Sequence, residues 1–172
     1  LKLGKYDRAD AAIARLLAIA PDNPNAQFLA GEASFLQGRF DPAAAAYRKA
    51  LQLDPAFGDA ELRLARIDAL RGQPQAAIAR LQKMLGGNFA PSLRISAAFD
   101  LADLARAEGR CPEAVAALDR VHADVAAEQV RAALELATRA RCALDAGDAA
   151  AARSLARQAV ARSPGPPKRY LY

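Results

Sequence analysis

Residues 24–55 read PNAQFLAGEASFLQGRFDPAAAAYRKALQLDP, a pattern of two helices joined by a turn. From Pro24 to Gln37, the apolar and small residues Ala26, Phe28, Leu29, Ala30, Ala33, Phe35 and Leu36 recur at helical spacing. Gly38 supplies the left-handed residue that ends such a helix. Asp41 is placed to cap a second helix whose first turn accepts Pro42. Ala43, Ala46, Tyr47, Ala50, Leu51 and Leu53 then recur until Asp54 and Pro55 stop it. The unit is a helical hairpin.

The hairpin is repeated. Gly4, Gly38, Gly72, Gly109 and Gly147 stand 34, 34, 37 and 38 residues apart, and five residues after each comes Ala9, Ala43, Ala77, Ala114 or Ala152. A period of this length marks a solenoid, in which each unit buries its apolar face only against its neighbours. The composition agrees, with 53% hydrophobic and 25% charged residues in 172, no Trp and abundant alanine, so close-packed helices must fill the interior with small side chains. Charged residues punctuate every long window, so no membrane span is expected, and no targeting leader is read.

The second unit resembles the tetratricopeptide repeat: Gly31 in the first helix, the turn Gly38-Arg39-Phe40, then Ala43, Tyr47 and Ala50, closed by Leu53-Asp54-Pro55. The second-helix pattern recurs upstream in Gly4, Tyr6, Ala9, Ile13, Leu16, Ile19 and Pro21, and downstream in Gly72, Ala77, Leu81, Met84 and Leu85. It thins in the fourth unit (Leu101, Ala102, Gly109, Ala114, Leu118, Val121) and the fifth (Ala140, Gly147, Ala152, Ala156, Ala159, Pro164). The resemblance implies an all-α, right-handed superhelical solenoid of helix-turn-helix repeats. Residues 1–172 are then one repeat domain, with 1–21 the second helix of a truncated unit, 22–55, 56–90, 91–125 and 126–164 helical hairpins, and 165–172 the start of a further unit. On this reading the chain is a piece of a longer one, and its bias to arginine, 19 against five lysines, is that of a GC-rich bacterial genome. The compartment, bacterial cytoplasm or periplasm, stays open.

Some positions depart from the pattern. Residues 86–91, GGNFAP, predict a longer loop. Arg139 falls where Ala30, Leu64 and Leu101 stand, and Asp68 where Ala105 and Ala143 stand, so either those helices are rotated or the two side chains reach solvent. Cys111 and Cys142 fit no metal site with the single His122, and read as buried thiols or, in an exported protein, as a disulfide between repeats. A second helix whose partner is missing leaves Tyr6, Ile13 and Leu17 exposed, which invites self-association through the end repeats.

Catalytic chemistry is not found: there is no Gly-rich phosphate loop, H-E-x-x-H, G-x-S-x-G or C-x-x-C, and His122 sits where Leu17, Leu51, Leu85 and Val160 stand. No enzyme activity and no cofactor or metal are expected. Binding is the better-supported class. In the resembled family the first helices line a concave groove, and residues ten, six and three before each glycine share a helix face. These are Phe28, Leu62, Phe99 and Ala137; Glu32, Arg66, Asp103 and Arg141; and Phe35, Ala69, Arg106 and Leu144. An apolar stripe beside alternating charge suits a peptide or helical segment of a protein partner. The plainer alternatives are that the aromatics pack between hairpins and that the charged row pairs with itself.

The net charge of +5 lies wholly in residues 131–172, since residues 1–130 carry 16 basic and 16 acidic residues. Arg139, Arg141, Arg153, Arg157 and Arg162 form a candidate basic patch. Without aromatic interleaving or a recognised motif, nucleic acid is not the expected partner. The competing functional reading is a spacer or regulatory arm of a larger bacterial enzyme, signalling or envelope-export protein, with no tight ligand of its own.

Overall fold

The structure, a computed structural model, describes residues 3–125 and 129–163. Among the described residues ten helices follow one another: α1 Leu3–Ile19, α2 Pro24–Leu36, α3 Phe40–Leu53, α4 Gly58–Leu70, α5 Pro74–Gly86, α6 Pro91–Ala107, α7 Cys111–Asp119, α8 His122–Val125, α9 Gln129–Asp145 and α10 Ala149–Arg162. The described residues contain no strand, and none of their helices is long and apolar enough to cross a membrane. The fold is all-α, of helical hairpins.

Gly38, Gly72, Gly109 and Gly147 have φ of 74°, 71°, 72° and 81°, each just after a first helix. The left-handed backbone that ends these helices is why glycine recurs there. Gly4 differs, since α1 runs continuously through it from Leu3 and no turn forms there. Asp41 also differs from its expected role. α3 begins at Phe40 with no side-chain cap, and Asp41 lies in the first turn, ion-paired to Arg71. Side-chain caps are formed at α2 by Asn23, accepting from the Asn25 and Ala26 amides, and at α10 by Asp148, accepting from Ala151.

Two compact units divide the chain, Leu1–Arg80 and Leu81–Tyr172. The core of the first joins Ala43, Ala44, Tyr47 and Ala50 of α3 to Ala60, Leu64 and Ile67 of α4, with Phe28, Phe35, Phe40, Leu51 and Phe57 packed around them. Tyr47 is fully buried, and a Cβ at Gly31 would lie 2.4 Å from its ring, so the small residue of α2 is a seat for the tyrosine of α3. Asp68 does not reach solvent. Its carboxylate and that of Glu61 are buried, and Arg80 of α5 donates to both, at 2.7 and 3.1 Å. At α1, Tyr6 is exposed, and Ile13 and Leu17 are half-buried where they line a cleft that residues of α2 and α3 also border.

The second unit packs Ala102, Ala105, Ala114, Leu118 and Cys142 together, with Phe99, Cys111 and Val115 against them. Cys111, the first residue of α7, is joined to Cys142 of α9 in a disulfide, with a Cα–Cα distance of 5.4 Å. The buried-thiol reading is thereby replaced by a covalent link between successive hairpins. The second helix of this hairpin is broken into α7 and α8, and the residues 87–90 between α5 and α6 form the expected loop.

Candidate interaction surfaces

The first unit brings α2 and α4 side by side through a charged contact. Arg63 of α4 grips the Glu32 carboxylate with two nitrogens, at 2.7 and 2.8 Å, and the Tyr47 hydroxyl donates to the same carboxylate. The guanidinium also lies over the Phe35 ring, 5.9 Å from its centroid. Burial, then the neighbouring Glu32, pushes the Tyr47 phenol far above its ordinary value. Glu32 of the charged row therefore pairs, but with Arg63, which lies outside that row. Arg63 lies one residue past Leu62, which turns it by about 100° around α4 and toward α2.

The expected apolar stripe is divided between core and surface. Leu62 is buried, at 7% exposure, and so offers nothing to a partner. Phe28 is half-buried and stacked against Tyr47 and Phe57, with centroids 5.5 and 5.2 Å away. Phe35 is half-buried against Phe40, and Arg66 is half-buried on α4. The apolar groups that reach solvent are neighbours of the stripe: Leu29 and Leu36 on α2 and Leu70 on α4, 47%, 73% and 58% exposed. Leu29 and Leu36 are seven apart and share a face, and Leu36 and Leu70 hold the same place, two before a repeat glycine. That shared place was the signal for them.

On α6 and α9 in the second unit the same positions look different. Phe99 is half-buried against the core, Asp103 is exposed and Arg106 is half-buried. Arg141 is exposed and, with Arg153, flanks an alanine-rich cleft of about 590 Å³ between α9 and α10, to which Leu144 and Val160 also contribute. Arg153, Arg157 and Arg162 are exposed along α10. Arg139 does not belong to this open basic surface. Its guanidinium bonds Glu135 and Asp119, each at 2.7 Å, and although burial opposes its charge these carboxylates raise its pKa. The buried Glu135 also accepts His122 Nδ1 at 2.8 Å, which makes His122 a solvent-facing edge residue. Among the described residues no group of three or more His, Cys, Asp or Glu is gathered as a metal site would need.

Two models of the tetratricopeptide repeat match the sequence, over residues 1–57 and 34–94. No curated protein matches it. Among solved structures, that of MamA is 19% identical and superposes with a TM-score of 0.76, covering 94% of this chain and 90% of that one. The structure of YrrB, a TPR protein with an unusual peptide-binding site, is 19% identical, with a TM-score of 0.69 over 95% of this chain and 82% of that one. The structure of TTC0263, a thermophilic TPR protein in Thermus thermophilus, is 19% identical, with a TM-score of 0.64 over 95% of this chain and 86% of that one. Identities this low speak for the fold alone.

Proposed function

This chain belongs to the tetratricopeptide repeat family, a class of protein–protein interaction scaffold, and from that premise we propose that it is non-catalytic and takes a peptide or helical segment on the face shared by α2 and α4. The observation that carries this is the exposure of Leu29, Leu36 and Leu70 beside the half-buried rings of Phe28 and Phe35. Apolar side chains ranked along adjacent helices are anchors for an amphipathic or extended segment, because affinity comes from burying them while nearby polar groups set register. The Glu32–Arg63 pair holds α2 and α4 in fixed relation, so the face is formed before a ligand arrives and little ordering cost opposes binding.

Selection of peptides from a random library on the intact chain tests the reading. The selected peptides carry bulky apolar residues at helical or alternate spacing, and Leu36→Asp with Leu70→Asp weakens them by about tenfold or more, a loss of about 1.4 kcal/mol. Equal affinity for the double variant places the ligand elsewhere. A chain that selects no peptide at all is the spacer of the competing reading.

A further inference from the structure

The cleft between α9 and α10 is the open counterpart of a seat that is filled inside the first unit. Counting from the repeat glycines Gly38 and Gly147, its residues correspond to those of α2 and α3 on which α4 packs. Where the first unit has the rings Phe28, Phe40 and Tyr47, the last hairpin has Ala137, Ala149 and Ala156, and the cleft is the space those rings would occupy. Two charges differ as well. Glu32, which holds Arg63 of α4, is replaced by Arg141, and the buried Ala44 is replaced by Arg153. Both arginines are exposed and have no ion-pair partner among the described residues.

We infer that this cleft is a second docking site, independent of the α2/α4 face, which receives an amphipathic helix of a partner protein with bulky apolar side chains on one face and carboxylates beside them. The shape follows from the repeat, since in the first unit a helix fills the equivalent seat. The bulk follows from the alanines, because an occupant must bring the volume this hairpin lacks, and an apolar cleft left wet forfeits both burial and dispersion. The charge follows from the reversal at Arg141. An occupant needs an acid where α4 carries Arg63, and a carboxylate between two guanidinium groups forms strong, directed hydrogen bonds. Residues 164–172 are a poor match for this role, because their charged side chains are Lys168 and Arg169, of the same sign as Arg141 and Arg153.

The test uses the full chain and a fluorescein-labelled synthetic helix of about 18 residues, long enough to be helical when docked, with leucines at i, i+3, i+4 and i+7 flanked by glutamates. Fluorescence anisotropy is compared with that of the same peptide carrying lysines for glutamates. The glutamate peptide binds and the lysine peptide does not. Arg141→Glu with Arg153→Glu weakens binding by about tenfold or more, while Arg157→Glu with Arg162→Glu, which removes as much charge elsewhere on α10, changes it by less than about threefold. Ala156→Tyr fills the seat without altering charge and abolishes binding. Leu36→Asp leaves it unchanged, so failure here and failure of the α2/α4 face are separate results. The inference is overturned by no binding of the glutamate peptide, by equal binding of the lysine peptide, by equal loss in the two arginine pairs, or by retained binding in Ala156→Tyr. It is also overturned if dimerisation sensitive to Ala156→Tyr shows a second copy in the cleft, or if deleting residues 164–172 raises affinity about tenfold, which assigns the cleft to the chain's own tail.

Discussion

The hairpin of α2 and α3 and the hairpin of α9 and α10 share a glycine turn and a helical frame, yet one is packed with rings and the other with alanines. In the first, Tyr47 fills the hollow over Gly31 and is itself covered by α4, so sequence, packing and neighbour are locked together. In the second, Ala156 stands at the tyrosine's place, the surface is left open, and a disulfide to the preceding hairpin contributes what the missing rings do not. The same repeat can thus be stabilised by volume or by covalent linkage, and the choice determines which face remains available.

The largest effect expected from this contrast is at its centre. Tyr47→Ala removes a fully buried ring and costs about 3–5 kcal/mol in urea unfolding, whereas Ala156→Tyr at the equivalent exposed place shifts stability by no more than about 0.5 kcal/mol. Similar costs at both positions would erase the distinction. Next comes the disulfide. Reducing it, or introducing Cys111→Ser with Cys142→Ser, loses about 2–4 kcal/mol, given a 31-residue separation between the linked positions. Hydrogen exchange by mass spectrometry should show the loosening in α7, α9 and α10 and leave α2–α4 protected.

How much of this was legible varied with the kind of signal. The glycine turns were readable because a left-handed backbone admits few other residues, whereas Gly31 and Tyr47 were readable only as members of the repeat pattern, and their packing of ring against gap is a finding of the structure. The partner of Glu32 was not readable. A spacing rule placed Arg66 on the same face, but a contact between adjacent helices depends on how far each is rotated, and that rotation brings Arg63 to Glu32. For Asp68 and Arg139 the pattern leaves two readings, a rotated helix or a side chain reaching solvent, and neither names the partner outside its own first helix that neutralises each, Arg80 in one case and Asp119 in the other. Leu62 fell to the core while its neighbours in the pattern stayed nearer the surface, a division that periodicity alone does not resolve.

Smaller effects sharpen the contrast between the paired and the unpaired charge. Glu32→Ala frees Arg63 and costs about 1–2 kcal/mol, while Arg141→Ala, at the matching place without a partner, is nearly neutral by the same thermal or urea measurement. The smallest effect is confined to alkaline solution. Because the folded-state pKa of Tyr47 is raised, its contribution is fully present below the unfolded value of about 10 and is lost as pH rises beyond it. Tyr47→Phe should flatten stability across that window, and a phenolate absorbance for Tyr47 that develops before unfolding would argue against the burial described here.

The most direct measurement is a hydrogen-exchange footprint of a library-selected peptide on the intact chain, comparing free and bound states. Protection concentrated in α2 and α4, around residues 28–36 and 63–70, and lost in the Leu36→Asp, Leu70→Asp variant, is the predicted result. Protection confined to other helices, or unchanged in that variant, would contradict the proposal that this face is where the scaffold holds its partner.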